Sequence, residues 1–188
     1  MPIPCGDGRE KEDSISLPPE IVVKKVKLRF GQAGRDLCVP SCVCSALFFL
    51  RWREQATRIF AEARKINFEM MPLDVQLTCI SNLIRRHIPK TPFPVNYAGR
   101  LDKAVQVSTL LATYWSGLLI VIPTTDTGKS NHAVAVTGDY LFDGTCDRAL
   151  ALSQKALVYA VGGSTVVGIK RCLHFKGITK KWGDKRKT

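Results

Sequence analysis

Cys38 and its neighbours carry the strongest chemical signal in this chain. Residues 32–38 read Gln-Ala-Gly-Arg-Asp-Leu-Cys, and an apolar run follows at once, Val-Pro-Ser-Cys-Val-Cys-Ser-Ala-Leu-Phe-Phe-Leu. That run, with Pro40 tolerated in a first turn, predicts a helix beginning near Cys38. A thiol at a helix N-terminus lies at the positive end of the macrodipole, which favours the thiolate, and Arg35 adds a cation close by in sequence. Gln32, six residues upstream, brings an amide donor that suits an oxyanion, and the backbone N–H of Cys38 supplies a second. For any one of the seven cysteines the competing reading is a buried structural thiol. A metal knuckle from Cys38, Cys42 and Cys44 is disfavoured, because a helix cannot aim all three at one ion.

A cysteine nucleophile needs a base. The chain has three histidines. His87 falls at a helix end among arginines, where exposure is expected, and His174 falls in the last strand beside a basic tail. His132 follows Asn131 at the mouth of an apolar strand, where a loop can deliver its ring into a cleft. Residues 132–143, His-Ala-Val-Ala-Val-Thr-Gly-Asp-Tyr-Leu-Phe-Asp, predict a hairpin turning at Gly138-Asp139. A two-residue turn sets Val136 opposite Leu141 and Val134 opposite Asp143. His132 and Asp143 then share a face as diagonal neighbours, about 7–8 Å apart along the backbone. From there Asp143 can hold the imidazole in the tautomer whose other nitrogen takes the thiol proton. A turn one residue longer hands that role to Asp147 or Asp139. The segment Pro123-Thr-Thr-Asp-Thr-Gly-Lys-Ser130 is a decoy: it approaches a phosphate-binding loop, but Pro123 replaces the first glycine and a strand, not a helix, follows.

These residues need a scaffold. Ile21–Phe30 alternates apolar and basic residues, the pattern of an edge strand protected by lysines. Apolar residues recur at helical spacing from Cys38 to about Ile66, as one long helix or two. Pro72 opens an amphipathic helix from Leu73 to about Arg86, and Asp102 opens another to Tyr114 or Trp115. Residues 90–99 read as irregular or extended. Leu118–Ile122, His132–Val136, Tyr140–Asp143 and Thr165–Phe175 read as strands, with a short helix over Ser153–Val161. Helices first and a mostly antiparallel sheet second make an α+β domain.

The 188 residues, 45% apolar, suit a single domain over residues 19–175, between a polar N-terminal tail, 1–18, and a basic C-terminal tail, 176–188, with little to bury. No stretch is long and apolar enough to span a bilayer, and the first sixteen residues lack the apolar core of an export signal. With an odd number of cysteines, this predicts a reduced, cytoplasmic protein without a disulfide framework. The formal net charge of +12 suggests weak association with polyanions. No basic motif interleaved with aromatic residues marks a nucleic-acid module.

Gln32, Cys38, Pro40 and Cys42, followed by Leu118–Ile122, the loop 124–130, His132 and Asp143, resemble the papain-like cysteine peptidases. Within them the pattern is most similar to the bacteriocin-leader-processing type. The likeness runs in order and spacing over roughly residues 30–145. It departs at Leu37, Val39 and Gly144, where that type carries Asp, Gly and Pro. The resemblance implies a papain-like fold, with Cys38 as nucleophile, His132 as base, Asp143 as its orienter and Gln32 in the oxyanion hole. The expected activity is hydrolysis of an amide bond in a peptide or protein, with no metal or organic cofactor. Acyl transfer to another acceptor, as in transglutaminase-like enzymes, uses the same groups. A catalytically silent basic binding module is the alternative from a different class.

Overall fold

The computed structural model describes residues 22–27, 30, 37–97, 103–113, 115–128 and 132–181. Its elements in chain order are β1 (Val22–Lys27), α1 (Cys38–Phe49), α2 (Arg53–Ala63), a 3₁₀ turn at Phe68–Met70, α3 (Leu73–His87), β2 (Val95–Asn96) and α4 (Lys103–Ala112). They continue as β3 (Leu118–Thr125), β4 (Val134–Thr137), β5 (Tyr140–Phe142), β6 (Arg148–Ala151), α5 (Gln154–Ala160) and β7 (Val166–Phe175). The described strands form one sheet in the order β1-β6-β5-β4-β3-β7-β2, every pair antiparallel. The fold is α+β, as the order of patterns predicts.

Period-two alternation in the strands divides the core in two. Leu118, Ile120 and Ile122 of β3, Ala133 and Ala135 beside and on β4, and Phe142 of β5 face the layer of α1, α2 and α3. Leu119, Val121, Val134, Val136 and Leu141 face the opposite side with Val107 and Leu110 of α4 and Leu157 of α5. A sheet covered on both faces requires strands that are apolar at every position, and β4 is buried throughout. This is why Leu118–Ile122 and the valine-alanine run read as continuous apolar stretches.

Helix α1 is buried from Cys38 to Leu47. A helix apolar on all sides belongs inside a protein, and its small residues let it lie close against β3, β4 and β5. It ends at Leu50, and Arg51 turns the chain with a φ of 69° into α2. Helix α3 is amphipathic: Leu77, Ile80, Leu83 and Ile84 are buried. The single long helix considered for residues 38–66 is therefore two.

Several expectations are corrected. The helix predicted to start at Asp102 and run to Tyr114 or Trp115 stops at Ala112; Trp115 instead leads into β3 and turns its indole N–H onto the Leu110 carbonyl, 3.1 Å away. Residues 148–151 form β6, which its short Arg-Ala-Leu-Ala sequence did not reveal. Residues 90–99, read as irregular or extended, are so as far as described, and Val95–Asn96 pair with β7 as β2. The stretch after Phe175 has more to bury than its charge suggests: Ile178 is fully enclosed, and the Lys181 N–H bonds the Leu50 carbonyl at 2.8 Å. The sequence reading of residues 1–18 lies outside the described residues.

Gly117 is needed where it stands. Its φ is +92°, and a Cβ there would lie 2.5 Å from the Phe175 carbonyl oxygen. Both the conformation and the backbone contact exclude a side chain. Gly117→Ala is expected to lower stability by about 2–4 kcal/mol. Denaturant unfolding checks this; an unchanged midpoint would mean that the β3–β7 junction relaxes freely.

Candidate active site

Three of the four sequence-selected residues converge. The hairpin has the two-residue turn anticipated for it: Thr137 pairs with Tyr140, Val136 with Leu141 and Ala135 with Phe142. Just beyond this ladder His132 Nε2 lies 2.8 Å from Asp143 Oδ1. Asp147 and Asp139 are therefore not the partners of this ring. Cys38 opens α1, and its thiol is close enough to the same imidazole to perturb it. With Nε2–H directed at the carboxylate, Nδ1 is left to accept the thiol proton. Gln32 and Arg35 lie outside the described residues.

Asp143 is held from two sides. Residues 143–146 make a turn in which the Cys146 N–H bonds the Asp143 carbonyl at 3.0 Å. The Thr145 N–H donates to Asp143 Oδ1, also at 3.0 Å. This is the local geometry that Asp-Gly-Thr favours. The role of the Thr145 amide went unnoticed in the sequence, although the Asp-Gly pair was the signal for it. Asp143 is fully buried, and its Oδ2 has no hydrogen-bond partner among the described residues.

The environment sorts the thiols. Burial pushes Cys42 up well above the ordinary thiol value, with Cys38 and Asp143 adding repulsion, and burial also raises Cys44. Cys146 is pushed up to about 12 by burial and then by Asp143, and Cys172 to about 12 by burial alone. These four are held as thiols. Cys79 is half-exposed and remote on α3. Cys38 stands at the start of α1, with no side-chain cap and no acidic residue in the first turn to oppose an anion there. It retains 3% exposure, while the His132 side chain beside it retains 20%. The imidazole is thus the more open side of a narrow site.

The other histidines do other work. His87, expected at the surface, is half-buried because Glu62 of α2 reaches it at 2.7 Å; the contact joins α2 to α3. His174 is buried beside Trp115 and Tyr97 with Nε2 2.7 Å from the Ser116 carbonyl, and burial lowers it. The Thr124–Gly128 segment ends β3 in a turn, with Gly128 N–H on the Thr125 carbonyl, and leads to β4 rather than to a helix. It therefore lacks the helix that phosphate-loop chemistry requires. Among the described residues no group of His, Cys, Asp or Glu is arranged to hold a metal, and no helix is long and apolar enough to cross a membrane.

His132 has a pH signature. Burial opposes its charge, but the hydrogen bonds to Asp143 and Cys38, and their charges, raise it from 6.5 to about 10. The folded value is the higher one. The charged ring therefore stabilises the fold fully below about pH 6.5, and that contribution is lost as pH rises to about 10. The stability gap between the wild type and His132→Gln is expected to narrow from pH 6 to pH 10 in urea titrations. A gap that stays constant would mean that the ring does not carry the charge.

No protein-family model, curated protein or solved structure matches the chain.

Proposed function

We propose that this protein is a thiol-dependent hydrolase of papain-like type that cleaves an amide bond in a peptide or protein. The observation that carries this reading is one imidazole hydrogen-bonded to a buried carboxylate and electrostatically coupled to a thiol at a helix start. The proton shared by Cys38 and His132 rests on Nδ1 of the ring, and the Cys38 sulfur attacks the carbonyl carbon. Negative charge gathers on the carbonyl oxygen, where the Cys38 N–H, and the Gln32 amide if its loop delivers it, stabilise it. The imidazolium then protonates the leaving amine, and water, deprotonated by the same ring, releases the acyl group. Asp143 keeps Nδ1 aimed at sulfur throughout. None of these steps calls for a metal or an organic cofactor.

The test is selective alkylation in a Cys5→Ser/Cys79→Ser background, which removes one cysteine outside the described residues and the half-exposed one. Iodoacetamide at neutral pH is expected to label Cys38 alone, with one equivalent incorporated. Because Cys38 is nearly enclosed, a bulky aromatic disulfide should react far more slowly than iodoacetamide. No labelling without denaturant would identify a sealed structural thiol and end the proposal. Product analysis with an added amine then separates hydrolysis from acyl transfer.

A further inference from the structure

A second site lies at the opposite end of α1. Twelve helical residues rising about 1.5 Å each place it about 18 Å from Cys38. Here the end of α1, the Gly138-Asp139 hairpin tip, the entry to β3 and the chain after β7 enclose a pocket of about 360 Å³. Phe49, Trp115, Thr137, Asp139, Tyr140 and Lys180 line it. The rings come from both sides of the sheet. Phe49 and Tyr140, with centroids 5.0 Å apart, pack on the α1 core, whereas Trp115 packs on the opposite core. All three line the pocket.

The rim is cationic. Lys180 lies with Nζ 6.0 Å from the Phe49 ring, and Lys181 with Nζ 5.2 Å from the Trp52 ring. Exposed Arg51 adjoins Leu50, whose carbonyl anchors Lys181. Two hydrogen bonds hold the lysine-bearing segment in place: the Lys181 N–H to the Leu50 carbonyl and the Trp52 indole N–H to the Thr179 carbonyl, both 2.8 Å. One carboxylate, exposed Asp139, stands among the lining groups.

We propose that this pocket binds a nucleotide, its base against the rings and its phosphate on Lys180 and Lys181. Stacking on aromatic faces holds any base, and lysines at the edge of the groove take the phosphate. Asp139 supplies an acceptor for the N–H groups on a base edge. The volume is at the small end of the ligand-pocket range of about 300–1,000 Å³, which fits one nucleotide and not two. An acidic peptide would satisfy the lysines but leave the rings unused. A membrane surface calls for protruding apolar groups, and here Phe49, Trp52, Trp115 and Tyr140 are all half-buried. The site is separate from the decoy loop 123–130 and does not depend on the chemistry proposed for Cys38.

Calorimetric titration of the full chain tests it. AMP and GMP are expected to bind saturably, ribose 5-phosphate at least tenfold more weakly, and Lys180→Glu to weaken nucleotide binding at least tenfold. The alkylation rate of Cys38 should not change in that variant, and neither should its thermal midpoint. A ten-nucleotide single-stranded RNA binding over tenfold tighter than AMP would make the physiological source a strand; equal affinity would make it a free nucleotide. Binding of hexaglutamate or phosphatidylserine vesicles as tight as that of AMP would overturn the proposal. So would ribose 5-phosphate matching AMP, or no saturable nucleotide binding.

Discussion

Cys38→Ala is expected to reduce amide hydrolysis by about 10⁴–10⁶-fold, the loss seen when a covalent nucleophile is deleted from a set of groups that act together. The fold should survive. Cys38 contributes one sulfur to the core of α1, its Sγ is not part of the helix hydrogen bonding, and alanine is the best helix former. Substrate binding should change little, so the loss should fall on kcat and not on KM. Cys79→Ala, altering the half-exposed thiol on α3, is the control and should leave the rate untouched. The measurement is turnover of a fluorogenic peptide identified from a library. Activity surviving in Cys38→Ala would assign the nucleophile elsewhere and dismantle the proposed mechanism.

Asp143→Asn is expected to lower kcat by about 10²–10⁴-fold while keeping the shape of the site. Its Oδ1 position accepts both from His132 Nε2 and from the Thr145 N–H. An asparagine with its carbonyl in the Oδ1 position keeps both contacts, but it carries no negative charge beside the ring. The imidazolium then lacks its counter-charge and holds the proton it takes from Cys38 less well. Cys38 alkylation near neutral pH should slow in parallel, a change that a merely structural carboxylate would not produce. Stability should behave differently from activity. Asp143 is a buried charge with one unpartnered oxygen, and burying a charge costs free energy that an amide does not incur to the same degree. The variant should therefore unfold at a midpoint equal to or above that of the wild type near pH 10, where His132 loses its charge. A variant that is inactive and also strongly destabilised at that pH would recast Asp143 as a structural anchor.

Much of this molecule could be read from local pattern. The thiol at the start of α1 followed from an apolar run with proline in its first turn. The pairing of His132 with Asp143 followed from counting across Gly138-Asp139, because strand side chains alternate with period two and a two-residue turn leaves one register. What could not be read depended on partners distant in the chain. β6 and β2 are too short for any periodicity, and each becomes a strand only by bonding to a neighbour already in the sheet. His87 looked exposed because Glu62, its partner, sits one helix away.

The amino-acid sequence by itself determined the α+β order, the helix carrying the thiol and the hairpin carrying the imidazole and carboxylate, since each is encoded by contacts within about a dozen residues. Only the tertiary structure decided that α1 lies against β4, that the helix start meets the hairpin mouth, and that rings and lysines from four segments gather at the other end of α1. Those are long-range contacts. They are selected by packing and burial over the whole core, to which no local pattern has access.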